Sequence, residues 1–285
     1  MAIEFKAVSY EYSPNTPFAY VALKNINLSI QVGKITAIIG ATGSGKSTLV
    51  QHLNALLIPT QGEVVVLDKT LYAHSKNTQL KALRQKVGLV FQFPEAQLFE
   101  ETIEKDVGFG PKNFGVPPEE IKQRVIDSLK MVGLDETYLD LSPFELSGGQ
   151  KRRVAIAGIL AINPDVLVLD EPTAGLDPQG AQQMMALFVN LNRTYQKTIL
   201  IVTHNMEQVL DYADDVVVME KGEVVSQGKA RAFFKDKELL DRLDIVAPPV
   251  VTLRDQLMGN GFTLSEDAFD LDTIAREIAR EVGHE

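Results

Sequence analysis

Residues 40–47 read GATGSGKS: a glycine, four residues, then Gly-Lys-Ser. An apolar run, KITAII (34–39), precedes them, and a stretch of helical character, TLVQHLNALL (48–57), follows. Strand, glycine-rich turn and helix in that order form the context in which this spacing cradles phosphate. Gly40, Gly43 and Gly45 free the backbone to wrap closely, so that the loop from Thr42 through Ser44 to Thr48 turns consecutive N–H groups and a helix amino terminus toward negative charge. Lys46 then reaches the β- and γ-phosphates, and the Ser47 hydroxyl is placed to ligate Mg²⁺. The blander reading, a glycine-rich turn capped by Ser47 or Thr48, leaves the full set of matches unexplained.

A phosphate loop alone specifies only a nucleoside triphosphatase, and VLVLDEP (166–172) supplies a second half. Asp170 closes an apolar strand and can hold the Mg²⁺ that bridges β- and γ-phosphates. Glu171 stands one residue nearer the terminal phosphate, where hydrolysis needs a base to polarise an in-line water. An Asp that merely ends a strand and caps a turn is the alternative. In LSGGQ (146–150), Ser147 and Gln150 make an S-x-x-Q capping box at the start of KRRVAIAGILA. Gly148 and Gly149 exceed what a cap requires, and they bare backbone N–H groups toward something anionic. Gln92 ends the apolar run VGLVF, with Pro94, which donates no backbone hydrogen bond, helping to stop the strand. Asp177 followed by Pro178 reads locally as an N-cap with proline at the first helical position. His204, ending TILIVT, reads locally as a satisfied polar group, and Tyr10 and Tyr12 as strand aromatics that pack.

The elements that must hold these residues are legible as alternations and runs. IEFKAVSYEY and LKNINLSI alternate as antiparallel strands. KITAII, VLVLD (166–170) and TILIVTH (198–204), the last two separated by a helical stretch, carry the rhythm of a parallel α/β sheet. Residues 118–134 place Ile121, Val125, Ile126, Leu129 and Val132 on one helical face, which predicts a helical subdomain mid-chain. DVVVMEKGEVVSQG predicts a hairpin turning at Lys221-Gly222; APPV (247–250) breaks the pattern, and Ile274, Ile278 and Val282 mark a last amphipathic helix. A boundary falls near residue 240.

Composition narrows the classes. The 285 residues are 45% hydrophobic and 23% charged, enough for one large domain with an appendage. With 28 Lys and Arg against 38 Asp and Glu, the net charge of -10 argues against a broad grip on nucleic acid, and no nucleic-acid partner is expected. The absence of cysteine excludes disulfides, thiolate catalysis and Cys-based zinc sites. The longest apolar run, VAIAGILAI (154–162), falls far short of the ~20 residues of a spanning helix. The amino terminus lacks a signal-peptide core.

Phosphate loop, Gln92, LSGGQ, VLVLDEP, AGLD (174–177) and THN (203–205) occur in the order of an ATP-binding-cassette (ABC) ATPase, which the chain resembles over about residues 1–235. That resemblance implies an α/β fold with a RecA-like parallel sheet, an amino-terminal antiparallel β subdomain and a helical subdomain at about 92–153. Together these make a nucleotide-binding domain over 1–240, with a small carboxyl-terminal appendage, 241–285, that either joins two ATPases or only covers core. It implies ATP and Mg²⁺ as ligands, and a head-to-tail dimer in which Ser147, Gly148, Gly149 and Gln150 meet the γ-phosphate held by the partner's phosphate loop. In the same terms Asp177 is a dimer contact, His204 contacts the γ-phosphate and positions Glu171, Gln92 reaches Mg²⁺ and the attacking water, and Tyr12, with Tyr10 as its near competitor, stacks on adenine.

FQFPEAQLFEETIEKDVGFGPKNFG and LSGGQKRRVAIAGILA are similar to the ATPase subunits of energy-coupling-factor transporters, which power uptake of vitamins or transition-metal ions. Phe93-Pro94-Glu95 and Lys151-Arg152-Arg153 resemble the second of that family's two paralogues. The implied assembly has a paralogous ATPase as partner, in a heterodimer or a homodimer, beneath a membrane scaffold subunit and a substrate-binding membrane subunit. The chain would then lie peripherally on the cytoplasmic face of the cell membrane, with AQLFEETIEKDVGFGP as docking element. A soluble ABC ATPase that remodels nucleic acid or protein complexes, the ATPase of another ABC importer, and a nucleotide-binding subunit without turnover are the competing readings.

Overall fold

In the computed structural model, which describes residues 2–73, 75 and 77–283, the alternating amino-terminal segments pair as antiparallel strands. β1 (Ala2–Tyr12) and β2 (Tyr20–Gln31) align Phe5 with Leu28 and Ile3 with Ile30, all buried. β3 (Ile35–Ile39) leads through the glycine loop into α1 (Lys46–Gln51). β4 (Gln61–Val66) and β5 (Lys69–Tyr72) complete a four-stranded sheet in the order β2-β1-β4-β5. α2 (Asn77–Lys86) then feeds β6 (Val87–Val90).

Three helices follow: α3 (Ile103–Asn113), α4 (Pro118–Met131) and α5 (Gly148–Leu160). Val125, Leu129 and Val132 are buried there, with Ile121 and Ile126 half-buried beside them, as the 3.6-residue period predicts. Next come β7 (Val166–Asp170), α6 (Pro178–Tyr195), β8 (Thr198–Val202), α7 (Met206–Tyr212), β9 (Asp215–Glu220) and β10 (Glu223–Lys229). The second sheet runs β10-β9-β3-β8-β7-β6, parallel from β9 to β6 with β10 antiparallel at one edge. The central strands β3 and β8 are buried along their length, and β7 is buried up to Asp170, which is why they read as apolar runs.

The hairpin turns at Lys221 and Gly222, with φ of 48° and 86°, the paired positive values of a tight two-residue turn. Its tip rests on the glycine loop. Gly222 N–H donates to Ser44 O (3.0 Å), and Lys24 N–H donates to Gly222 O (2.8 Å).

Beyond the hairpin lie α8 (Ala230–Phe233), α9 (Lys237–Arg242), α10 (Pro249–Gly259) and α11 (Leu271–Glu281). Helix α9 passes through residue 240, and Leu240, Val251 and Phe269 share one buried cluster with Ala37 and Ile39 of β3. Two helical expectations change. The run 48–57 is helical only to Gln51, because Ala55 takes a left-handed φ of 54° and the N–H groups of Leu56 and Leu57 both return to Gln51 O. Ile274 and Ile278 pack, but Val282 lies just past the end of α11 and is exposed. Among the described residues, no helix is long and apolar enough to cross a membrane.

Candidate functional site

Because β3, β6, β7 and β8 are parallel neighbours, their carboxyl ends emerge at one edge of the sheet. Each delivers one group of the site: the glycine loop after Ile39, Gln92 after Val90, Asp170 and Glu171 at the end of β7, and His204 after Val202. This is the crevice in which open α/β sheets hold ligands. Here Thr42, Gly43, Gly45, Lys46, Ser47, Thr48, Gln92, Asp170, Glu171 and His204 line a cavity of about 420 Å³. Residues up to 162 positions apart in sequence, Thr42 and His204, thus line one cavity.

The loop's glycines are required by contact as well as conformation. Gly40 has φ 145°, and a Cβ there would stand 2.1 Å from Met219 O; at Gly45, with φ 102°, it would stand 2.8 Å from Ala22 O. Ser44 Oγ is buried without a hydrogen-bond partner, an orphan donor in a loop built to meet oxygen anions. Lys46 Nζ donates to Gly40 O (2.8 Å) and Ala41 O (2.9 Å), spanning the loop. Burial lowers its pKa, opposed by the charges of Glu171 and Asp170.

Asp170 has its pKa raised by burial, opposed by a hydrogen bond from Ser47 and by Lys46. Among the described residues no group of three or more His, Cys, Asp or Glu could hold a metal ion by itself. One carboxylate, one hydroxyl and one amide oxygen nevertheless fit Mg²⁺, a hard ion that keeps several waters and takes the rest of its shell from phosphates.

Glu171 is the strained residue of the site. Its φ of 49° lies in the left-handed region, at a cost of order 1–3 kcal/mol for a residue with a Cβ. The strand pairing of β7 with β8 carries one residue further, Glu171 N–H donating to Val202 O at 2.9 Å. That kink sets the carboxylate beside His204, whose Nδ1 lies 2.8 Å from Glu171 Oε1. Glu171 is largely covered while His204 is 82% exposed, so the histidine presents its other face to the cavity mouth.

Ser147 to Gln150 stand apart from this cavity. The capping box is complete: Ser147 N–H donates to Gln150 Oε1 (3.0 Å) and Gln150 N–H to Ser147 Oγ (3.4 Å). Gln150 is further held through Nε2 to the Tyr138 hydroxyl (3.1 Å). Ser147, Gly148 and Gly149 are exposed, and a Cβ at either glycine would meet nothing within 4 Å. Asp177 caps α6, accepting from Gly180 N–H at 2.6 Å, and it too lies outside the cavity.

Three residues carry more than their sequence context disclosed. Tyr20 lines the cavity, whereas Tyr12, its register partner on β1, hydrogen-bonds through its hydroxyl to Thr48 Oγ1 (3.2 Å) and packs edge-on against Tyr10. Arg152, 3% exposed, forks onto Glu95 through Nε (2.9 Å) and Nη2 (2.8 Å). The signal for it was an arginine in register with buried Ile156 and Leu160 on α5, four and eight residues on.

Behind the loop, His52 is fully buried, with Nδ1 2.7 Å from Thr48 O and its ring 5.0 Å from that of Tyr10. Burial lowers its pKa from 6.5 to about 4, opposed by the bond to Thr48. The unfolded chain therefore takes up a proton below pH 6.5 that the native chain refuses. The stability this group contributes is complete above that value and lost as pH falls toward 4, a loss of roughly 2 to 3 kcal/mol. Urea unfolding at neutral and at mildly acidic pH should record it, and His52→Gln should flatten that part of the slope; an unchanged slope would remove His52 as its source.

A glycine loop, a paired Glu and His and a cavity-lining glutamine at the carboxyl edge of this sheet, with LSGGQ exposed at the start of α5, are the marks of an ATP-binding cassette. Residues 23–174 match the family model described as ABC transporter. The chain is 51% identical over 282 residues to the "Energy-coupling factor transporter ATP-binding protein EcfA2" of Enterococcus faecalis, covering 99% of this chain and 98% of that one. It is also 51% identical over 283 residues to the protein of the same name from Clostridium perfringens, with the same coverage. Among solved structures, cbiO1 from Clostridium perfringens, described as part of the ABC transporter complex cbiONQ, superposes with TM-score 0.74 at 40% identity, over 89% of this chain and 98% of that chain. The cassette MJ0796, a dimer bound to ADP and Pi, gives 0.70 at 33%, over 80% and 98%. The chain belongs to the ABC transporter family, among its energy-coupling factor transporter ATP-binding proteins, and is an ATPase.

Proposed function

We propose that this chain binds and hydrolyses ATP for an energy-coupling-factor transporter, powering uptake of vitamins or transition-metal ions through partner membrane subunits. The observation that carries the reading is the Glu171–His204 pair, 2.8 Å apart, facing the cavity that the glycine loop walls. In this reading the loop from Gly40 to Thr48 holds the phosphates, and Tyr20 and Tyr12 bound the base end. Glu171 accepts a proton from the attacking water while His204 fixes the carboxylate's orientation. Ser47, Asp170 and Gln92 would hold Mg²⁺, which when bound neutralises charge on the bridging and terminal phosphate oxygens. Ser147 to Gln150 complete the partner's site: the capping box takes up the N–H groups of Ser147 and Gln150, which leaves the exposed Gly148 and Gly149 to turn toward the partner's nucleotide. Asp177 contacts the same partner.

The partner ATPase is a paralogue or a second copy, and the pair docks beneath a membrane scaffold at the cytoplasmic face. Residues 241–285 contribute to holding the two ATPases together; Val246, Leu253, Met258 and Leu271 are exposed there. Membrane proteins that co-purify with the chain, identified by mass spectrometry, test this: a small hydrophobic scaffold supports the reading, whereas ribosomes or nucleic acid would sink it.

The docking surface follows from one contrast. Leu98 is buried and would not tolerate charge, but Phe99 is 57% exposed and meets the exposed Phe109 edge-on at 5.0 Å. The loop beneath is fixed, Asp106 accepting from the N–H groups of both Phe99 and Glu100 at 2.9 Å. An aromatic pair held in place and left bare suits the centre of a protein interface. Phe99→Glu should leave ATP hydrolysis by the isolated dimer within about twofold and lower recovery of the membrane scaffold roughly tenfold or more. Undiminished recovery in pull-down would place the dock elsewhere.

A further inference from the structure

We infer that Arg152 is a positioning residue that fixes the outward LSGGQ segment relative to the Gln92 and Glu171 flanks of its own chain's pocket. This deepens the function proposed above and rests on it. Arg152 lies one helical turn into α5, so its backbone moves with Ser147, Gly148 and Gly149. Its guanidinium reaches two other segments at once. Both Glu95 oxygens accept from it, at 2.8 and 2.9 Å, and Glu95 is three residues beyond Gln92. Nη1 donates to Pro172 O (3.3 Å) and Ala174 O (2.9 Å), the first next to Glu171 and the second three residues before Asp177. The Phe93 ring packs under the guanidinium, 5.7 Å from ring centre to Cζ.

A buried ion pair is a poor way to gain stability, because desolvation offsets most of the attraction and an apolar side chain would fill the same volume. What the fork supplies is geometry: a bidentate contact fixes angle as well as distance. Lysine, a point charge, cannot bridge two carboxylate oxygens and two carbonyls together. The three segments joined here are those that face, respectively, the partner's nucleotide, the chain's own γ-phosphate side and the dimer contact. A shift in the Gln92 or Glu171 flank is thereby passed to the surface offered across the dimer.

Glu95→Gln is the informative change, because Glu95 is 25% exposed and its replacement keeps an acceptor and spares the fold. Arg152→Lys is its counterpart, keeping the charge and losing the fork. In the assembled ATPase dimer, either should lower kcat roughly tenfold while KM and the chain's own affinity for ATP stay within about twofold. Unchanged kcat in Glu95→Gln would overturn the inference, and so would a loss of ATP affinity that accounts for the whole defect. A second arrangement reads the effect across the dimer. With Lys46→Ala on the same chain, the remaining site pairs this chain's LSGGQ with the partner's phosphate loop, and adding Glu95→Gln should still slow it about tenfold. If Ser147→Arg in that arrangement leaves turnover intact, the trans placement of LSGGQ fails. If Ser147→Arg abolishes it and Glu95→Gln does not slow it, only the role of Arg152 fails.

Discussion

Glu171→Gln is expected to slow ATP hydrolysis by ~10² to 10⁴-fold while ATP binding survives, because a positioned base contributes about that much to a proton-transfer step. The substitution is nearly isosteric. Gln retains an Oε1 that can accept from His204 where the carboxylate now lies at 2.8 Å, and the backbone bond to Val202 O does not involve the side chain. Only the basicity is removed. The phosphate loop is untouched, so nucleotide affinity should stay near the parent's, and ATP should accumulate in a stalled dimer. Single-turnover measurement of phosphate release beside an equilibrium binding titration checks both halves; near-parental turnover would end the assignment of Glu171 as base.

Ser147→Arg should likewise abolish turnover, by about 10²-fold or more, yet leave the mutated chain's own ATP pocket intact. Ser147 is exposed and lies outside the cavity that Lys46 lines, so a long side chain there meets solvent in the monomer. Losing the cap on α5 costs about 1 kcal/mol, too little to unfold the chain. The decisive form pairs it with Lys46→Ala. With the two lesions on opposite subunits, both fall in one composite site and the other still hydrolyses. On the same subunit, both sites are damaged. The reverse pattern would place LSGGQ in cis.

The motif-bearing strands were legible because burial on both faces leaves an unbroken apolar run, and each run stops at or one residue short of a candidate site residue: Ile39 before Gly40, Leu169 before Asp170, and Val202 with Thr203 between it and His204. The capping box at Ser147 and the N-cap at Asp177 were legible because both are local, closing within three residues. Contacts across sequence were not. Arg152 and Glu95 are 57 positions apart, and no periodicity relates them. The stretch 61–72, which carries β4 and β5, gave no expectation of its own, since strands that lean on β1 are defined by that partner. Leu98 and Phe99, adjacent and both apolar, proved opposite in exposure because a loop turns neighbours without a fixed period. Of the register pair Tyr12 and Tyr20, Tyr20 lines the cavity directly, whereas Tyr12 reaches the α1 residue Thr48.

The hairpin tip at Gly222 bears on how the chain comes into being. Every residue of the phosphate loop has been synthesised once the first fifty are joined, but the loop is closed by Ser44 O accepting from Gly222 and by Met219 O packed against Gly40. The strand that carries the loop also needs β9, made some 180 residues later (215 − 35), as its parallel neighbour. Such long closures form after local structure, because the chain entropy they cost is repaid only when both ends are present. Nucleotide therefore has no finished pocket to enter on a chain that ends before the turn at Gly222, and its capture marks a polypeptide synthesised at least that far.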